Sequence, residues 1–380
     1  MDILTRSSPW RQLFDPRRAL PDADVQLVAP LRDVFDHYPA DLQASSVTQW
    51  QRQLVRALLA LDLPAWRISQ LISDHNDWIY HQVITRLLAE MRASGWGEPP
   101  VEFCVLQLGS AARHESLLCP DQDNAMILAD YPDAMHRSVD SWFQHFSWEM
   151  NQRLAQAGIP LCNGRVMACW PLWRKRLSEW VTQMQIWTQG RVVKRVQNSN
   201  ILLDFYPVYG ATHLAEKFHL ALQDLWPRAG GFLDEMASLL DEIPLALDRF
   251  DRLVGDGREA PHENALNLKR QGLLPLQSAT RLAAILAQAQ GVSTEERLQA
   301  LRLSGRIHRD QCQDLIDSLR FLQSLLLEWQ MQSLEAGRQA DYWVDRSALS
   351  EGQTRQLKNT LELIRRWVKQ VQKDVQAGAS

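Results

Sequence analysis

The chain has little net positive charge and lacks the common cysteine and histidine motifs. Its 41 lysines and arginines are outnumbered by 45 aspartates and glutamates, which gives a net charge of -4. This balance argues against broad binding to a nucleic-acid backbone, which needs a basic face. The five cysteines form no CxxC pair and the ten histidines form no HExxH motif. A disulfide framework and a zinc site are therefore not expected, and reduced thiols in the cytoplasm are the simpler interpretation.

Long apolar segments are also missing. No run approaches the roughly 20 apolar residues that span a bilayer, and the start, MDILTRSSPWRQLF, lacks the apolar centre of a signal peptide. There is no fixed-period repeat and no low-complexity tract. We therefore expect a cytoplasmic protein with no membrane partner.

The chain does have enough apolar residues for more than one core. Its 380 residues are 46% hydrophobic and 23% charged, which suits two or three globular domains. Helical periodicity dominates residues 1–95 and again residues 216–380, where it predicts a helical bundle. Residues 96–215 are predicted to be mixed. Their strands are expected in VEFCVLQL (101–108), DNAMILA (123–129) and NILLDFYPV (200–208).

Two helices carry additional signals. STEERLQALRLSG opens with Ser293 and Glu296 at capping-box spacing and should stop at Gly305. PLWRKRLSEWVTQMQIW is predicted to be a helix that begins at Pro171. Its three tryptophans stand seven residues apart and predict a stripe packed in the core; they are Trp173, Trp180 and Trp187.

The segment LGSAARHESLLCPDQDNAMIL (108–128) places a glycine turn directly after the first strand. A strand that turns into a helix leaves backbone N–H groups pointing outward, an arrangement that favours phosphate. Gly109 has no Cβ and allows close approach of a ligand. Ser110 can cap the helix and donate its hydroxyl.

Two aspartates close the same segment. Residues two apart in an extended chain face the same side, so Asp121 and Asp123 should present their carboxylates together. Their repulsion is relieved by Mg²⁺, which prefers oxygen ligands. Sites with two metal ions need a third oxygen donor, and Asp204 is a lone acid in an apolar strand. Each aspartate also has an ordinary structural alternative: a turn residue after Pro120, an N-cap, or the partner of a buried arginine, respectively.

The same residues resemble a known superfamily, the polymerase-beta-type nucleotidyltransferases. Within it, the chain is similar to the "GSxGRxE…TDQDNA" segment of bacterial nucleotidyltransferases often fused to CBS and cyclic-nucleotide-binding domains, relatives of the PII-protein uridylyltransferase. The resemblance covers most of residues 45–375. It continues in GIPLCNGRVMA (158–168), LLDFYPVYG (202–210), LNLKRQGLLPLQSATRLAAI (266–285) and LKNTLELIRRW (357–367).

The resemblance implies an α+β fold, in which a catalytic domain with a small mixed sheet lies between an N-terminal helical region and a C-terminal helical substrate-binding domain. It implies Mg²⁺, with up to two ions, and a nucleoside triphosphate as substrate. Gly109 and Ser110 match the phosphate-turn positions. Asp121, Asp123 and Asp204 match the catalytic and metal-binding carboxylates.

Three basic residues are further candidates for binding the nucleotide. Arg113 lies one turn into the helix and can reach the triphosphate, but a salt bridge with Glu115 or another acid is an equal alternative. Lys269 and Arg281, in the helical domain, can close over the site. A solvated helix face is the alternative for both.

The chain departs from the family pattern at three positions. Ala112 replaces the glycine before the arginine, Pro120 replaces the threonine before DQD, and Arg165 replaces the second glycine of GGVMA. None of these changes removes a metal ligand. Since no CBS pair precedes the domain, regulation through such a pair is not expected.

Together these features predict an enzyme that transfers a nucleoside monophosphate from a nucleoside triphosphate to an acceptor hydroxyl on a protein in a regulatory pathway. The alternative is a non-catalytic nucleotide sensor or scaffold. Addition to RNA ends is disfavoured by the net charge. No sequence motif identifies the acceptor molecule or the base of the nucleotide.

Overall fold

The computed structural model describes residues 4, 6, 8–21, 27–118, 120–189, 200–255, 257 and 260–378. The chain forms two compact units. The first unit contains Met1–Gln185 and Ile201–Leu222, and the second contains Ile186–Asn200 and Gln223–Ser380. The predicted division at residues 95 and 215 stays a prediction.

The chain combines many helices with a small mixed sheet, which confirms the predicted α+β class. Among the described residues the helices are α1 (Ala29–Asp36), α2 (Ala44–Ala60), α3 (Ala65–Ala93), α4 (Gly109–Ala112), α5 (His136–Gln156), α6 (Leu177–Gln189), α7 (Thr212–Leu225), α8 (Gly230–Leu239), α9 (Leu274–Leu286), α10 (Thr294–Leu303), α11 (Arg309–Glu335) and α12 (Glu351–Gly378). The strands are β1 (Phe103–Leu108), β2 (Asn124–Leu128), β3 (Arg174–Arg176), β4 (Phe205–Gly210), β5 (Ala265–Asn267) and β6 (Trp343–Asp345).

The four-stranded sheet has the order β3-β2-β1-β4. Strand β1 is antiparallel to both β2 and β4, whereas β2 and β3 are parallel. Gln107 pairs with Asn124, and Leu108 pairs with Phe205. The carboxyl end of β1 therefore lies between the amino ends of β2 and β4.

The bounds predicted from the sequence are wrong for one strand of this sheet and for the helix that follows β3. The third predicted strand begins at Phe205, because residues 200–202 are helical. Short apolar runs do not distinguish a strand from a buried helical turn. Helix α6 begins at Leu177 rather than Pro171, since β3 comes first and is held as a strand by its pairing with β2.

The C-terminal region is helical as predicted, apart from one strand pair. Strands β5 and β6 pair antiparallel, with Leu266 opposite Val344, and neither was predicted. The capping box is confirmed: Ser293 Oγ accepts from the Glu296 N–H at 3.1 Å. Gly305 follows α10 with a φ of +74°, a left-handed conformation typical of a helix end.

The predicted tryptophan stripe is buried, as expected for a core role. Trp173, Trp180 and Trp187 are all buried, and the Trp180 indole donates to the Met126 carbonyl at 2.9 Å. Trp173, however, lies in a 3₁₀ turn before β3 rather than on α6. The burial of the three tryptophans is therefore confirmed, but they do not all lie on one helix.

Within the described part of the chain, no helix combines the length and apolarity needed to cross a membrane. The described cysteines are free thiols: Cys104, Cys162, Cys169 and Cys312. Cys119 lies outside the described residues.

A buried histidine lies at the centre of the packing between α2 and α3. His75 is fully enclosed, and burial lowers the pKa of its imidazole to about 3. The Gln51 amide lies 3.0 Å from Nδ1, and the Tyr38 hydroxyl lies 3.0 Å from Nε2. Because the amide nitrogen is a donor, Nδ1 must accept, and Nε2–H then donates to Tyr38. The imidazole is therefore neutral in the folded chain.

This histidine should make the first unit less stable in acid. Below pH 6.5 the unfolded chain binds a proton at His75 that the folded chain does not, so stability is lost as the pH falls from 6.5 towards 3. The loss between pH 7 and pH 5 should be about 2 kcal/mol. Denaturant unfolding of wild type and His75→Gln, followed by tryptophan fluorescence at both pH values, measures it. His136→Gln, at an exposed histidine of the same unit, should keep the wild-type pH dependence; equal pH dependence in His75→Gln would contradict the assignment.

Candidate active site

The register of the sheet brings three of the predicted site residues, Gly109, Asp123 and Asp204, together at the carboxyl end of β1. The Leu108 N–H donates to the Asp123 carbonyl at 2.8 Å, and the Gly109 N–H donates to the Asp204 carbonyl at 3.0 Å. Asp123 precedes β2 and Asp204 precedes β4. Both aspartate backbones therefore flank the turn that ends β1.

Asp121 and Asp123 form a cluster with a third residue, Cys162. Among the described residues, one ligand atom from each of these side chains lies within 4.8 Å of the other two. Both aspartates are partly exposed, whereas Cys162 is buried. The predicted pairing of the two carboxylates is present in this geometry. Asp204 is not a member of the cluster.

Backbone hydrogen bonds bring Cys162 to the aspartates. The Gln122 N–H donates to the Pro160 carbonyl at 2.8 Å, and the Asn124 N–H donates to the Val166 carbonyl at 3.0 Å. The loop between these two points carries the cysteine. Sequence reasoning missed Cys162, although GIPLCNGRVMA (158–168) was among the segments of the resemblance.

The residues between and after the aspartates face the core. Asn151 on α5 donates from Nδ2 to Gln122 Oε1 at 2.7 Å and to Asn124 Oδ1 at 3.2 Å. The Asn124 amide also donates to the Tyr80 hydroxyl at 3.1 Å. All of these groups are buried. The alternation of two outward carboxylates with two inward amides follows from the two-residue period of an extended chain, and it fixes where the carboxylates point.

The Cys162 thiol is held in its protonated form. Burial and then the negative charge of Asp123 raise its pKa to about 12, and the thiol hydrogen-bonds to the Asp123 carboxylate. A hypothetical Cβ on Gly164 would lie 3.4 Å from Sγ. The glycine therefore lies against the thiol from within the same loop.

Asp204 forms a buried ion pair. Its Oδ2 accepts from Arg113 Nη1 at 2.5 Å, and Glu115 accepts from Arg113 Nε at 2.8 Å. All three side chains are almost completely enclosed. Burial alone lowers the pKa of Arg113, but the two carboxylates more than offset this effect, so the pKa is raised. Of the two sequence interpretations of Arg113, the structure favours the salt bridge.

The glycine turn has a left-handed conformation that favours glycine. Gly109 has a φ of +59°, and a Cβ there would stand 3.4 Å from Asp123 Oδ2. The N-cap of the short helix α4 is Leu108, not Ser110. Ser110 is partly exposed beside the turn. Binding of phosphate by Gly109 and Ser110 stays a prediction.

Residues distant in sequence fasten this turn. The Arg6 guanidinium donates to the Ala111 carbonyl at 2.7 Å, and its centre lies 3.4 Å above the Tyr206 ring. His114 Nε2 lies 2.9 Å from Asp74 Oδ1 of helix α3. The N-terminal segment and α3 therefore hold the turn from two sides.

Two departures from the family pattern have structural counterparts. Ala112 is fully buried in α4. Arg165 has a φ of +59°, so it adopts a left-handed conformation that costs an L-residue roughly 1–2 kcal/mol. Its guanidinium lies 5.2 Å above the Trp170 ring. The glycine that the family pattern has there would avoid this strain.

Lys269 and Arg281, the two predicted site residues of the second unit, both contact residues of that unit. The Lys269 ammonium lies 4.2 Å above the Tyr342 ring. Arg281 is buried, and its Nη1 donates to Asn200 Oδ1. The predicted contact of these two residues with the nucleotide stays a prediction.

The donor set of the cluster fits a divalent cation. Two partly exposed carboxylates beside a glycine turn provide the oxygen ligands that Mg²⁺ prefers and leave positions open for water and phosphate. The carboxylates would hold the ion, while the protonated thiol donates to one of them.

Comparison with known families identifies two matches. Residues 49–192 match a family model described as "putative nucleotidyltransferase DUF294". Residues 230–375 match one described as "putative nucleotidyltransferase substrate binding domain". A search of curated proteins gives no match. Since the two models together cover most of the chain and the first contains the aspartate pair, the chain belongs to this family of nucleotidyltransferase-like proteins.

Proposed function

We propose that the chain is a Mg²⁺-dependent nucleotidyltransferase, which transfers a nucleoside monophosphate to an acceptor hydroxyl and releases pyrophosphate. One observation carries the proposal: the Asp121–Asp123 pair lies beside the left-handed Gly109 at one edge of the sheet. A nucleotidyltransferase needs these groups together, because phosphoryl transfer depends mainly on positioning and on neutralising charge.

Each group has a defined part in this proposal. The Gly109–Ser110 turn receives the triphosphate, and Asp121 and Asp123 hold Mg²⁺. Mg²⁺ held by these two carboxylates would neutralise charge on the phosphates. Asp204 serves as the third carboxylate, on the side of the acceptor. Arg113 is a positioning residue, because it orients the Asp204 carboxylate from within the core.

The acceptor is proposed to bind in residues 230–375, the part matched by the substrate-binding model. We infer that the acceptor hydroxyl belongs to a protein in a regulatory pathway. Lys269 and Arg281 lie in this part and are proposed to contact the nucleotide during transfer.

An assay with all four nucleoside triphosphates, each labelled at the α-phosphate, tests this function. The purified full chain is incubated with Mg²⁺ and a cell lysate, and both labelled protein bands and pyrophosphate are measured. We expect label on a protein band with one triphosphate, and no label after chelation of the metal. Tight binding of a nucleotide without label or pyrophosphate from any of the four would instead support a non-catalytic sensor.

A further inference from the structure

The cluster at the proposed metal site contains a sulfur atom as well as two carboxylates. Cys162 Sγ and one oxygen from each aspartate lie within 4.8 Å of one another, and only the cysteine is buried. One divalent cation can contact all three atoms after small side-chain rotations, because metal–ligand bonds of about 2–2.3 Å place ligand atoms up to roughly 4 Å apart. The cluster is therefore compact enough for a three-ligand site.

The backbone keeps the three side chains in place without a metal. Hydrogen bonds from Gln122 to Pro160 and from Asn124 to Val166 fix the cysteine loop on either side of Asp123. The inward amides of the same segment are bonded to Asn151. A site organised in this way loses little conformational freedom when an ion binds.

The donor chemistry separates two classes of cation. Mg²⁺ takes oxygen ligands in octahedral geometry and keeps several of its waters. Sulfur ligands select softer ions such as Zn²⁺, for which three protein ligands and one open position make a complete tetrahedral site. Two carboxylates and one sulfur satisfy that requirement, whereas Mg²⁺ gains nothing from the sulfur.

We propose that Cys162 is a ligand for thiophilic divalent cations, so that Zn²⁺ and Co²⁺ bind the Asp121–Asp123–Cys162 cluster more tightly than Mg²⁺ does. When the metal–sulfur bond forms, the thiol proton passes to solvent, and neither sulfur nor metal changes oxidation state. The inference concerns the same site as the proposed function, and it adds a competing class of occupant to that site. Zn²⁺ then acts as an inhibitor that Mg²⁺ displaces only at large excess.

Titration of the full chain with Co²⁺, under a non-thiol reductant, tests the inference by absorption. We expect a sulfur-to-cobalt charge-transfer band in the near ultraviolet that saturates at one ion per chain and is removed by one equivalent of Zn²⁺. Cys162→Ser should lose the band and bind Co²⁺ at least about tenfold more weakly. Cys162→Ala provides the same test if the serine variant does not fold.

A second cysteine provides the matched control. Cys169 is partly buried and follows the same loop. Cys169→Ser should keep the band. A wild-type chain that binds Co²⁺ without the band, or a band that survives in both Cys162 variants, would overturn the inference.

The Mg²⁺-dependent transfer assay on wild type separates the two proposals. Transfer without a charge-transfer band leaves the function standing and removes the role of Cys162. A band that depends on Cys162, in a chain that transfers no nucleotide, leaves the metal site standing and removes the proposed function.

Discussion

Replacing Asp123 with asparagine should reduce nucleotidyl transfer by about a thousand-fold or more, because stabilisation by a metal ion contributes several kcal/mol to the transition state. Asparagine keeps the size of the side chain, and its carbonyl can still accept from the Cys162 thiol. It lacks the negative charge that attracts Mg²⁺. The inward amides of Gln122 and Asn124 are unchanged, so the free energy of unfolding should stay close to that of the wild type.

The measurement is single-turnover transfer from the labelled triphosphate that wild type uses. Asp130→Asn is the control, since Asp130 is an exposed aspartate beyond the other end of β2 whose carboxylate accepts from the Ser178 N–H at 3.1 Å. This control should transfer at the wild-type rate. Normal turnover in Asp123→Asn, with Mg²⁺ as the only divalent ion, would refute the assignment of the metal site.

Replacing Arg113 with methionine should destabilise the first unit by about 3–5 kcal/mol, the usual cost of removing one partner from a buried ion pair. The change removes the guanidinium that contacts both Asp204 and Glu115, and both carboxylates are enclosed. Denaturant unfolding at pH 7 measures the loss. An Arg113→Met chain with wild-type stability would show that the buried pair makes no net contribution.

A double-mutant cycle separates the structural and catalytic parts of Asp204. The double variant Arg113→Met/Asp204→Asn should lose less stability than the sum of the two single changes, since the uncompensated charge of Asp204 is gone. At a temperature where both single variants are folded, Asp204→Asn should lose more transfer activity than Arg113→Met. If Asp204→Asn instead transfers normally while folded, the carboxylate serves Arg113 alone.

The outcome for the fold shows what local sequence can predict. Most of the long periodic helices and the first two predicted strands lie close to their predicted bounds, whereas the third strand begins at Phe205 and the helix predicted from Pro171 begins at Leu177. Strand β3, in contrast, consists of three basic residues, and only its pairing with β2 makes it a strand. Strands β5 and β6 likewise exist because they pair with each other, although residues 268–342 separate them in the sequence. Such short strands are set by tertiary contacts that no local pattern shows.

The site divides in the same way. The spacing of Asp121 and Asp123 predicts that their carboxylates share one side, because the period of an extended chain is two. Cys162 lies about 40 residues further along, and only hydrogen bonds from the aspartate segment bring it to the cluster. From the sequence alone, Arg113 could contact either a triphosphate or an acidic side chain. Its salt bridge with Asp204 depends on the pairing of β4 with β1, which a local pattern does not show.

The alternation along Asp121–Asn124 has a consequence for how this segment can change. Its two carboxylates are proposed to bind the cation. Its two amides form buried hydrogen bonds with Asn151 and Tyr80. Inserting or deleting a single residue here would exchange the two sets, pushing charge into the interior and turning the amides towards water. A substitution in this segment therefore changes one side chain and leaves the direction of the other three unchanged, whereas a change of length by one residue reverses the direction of all four.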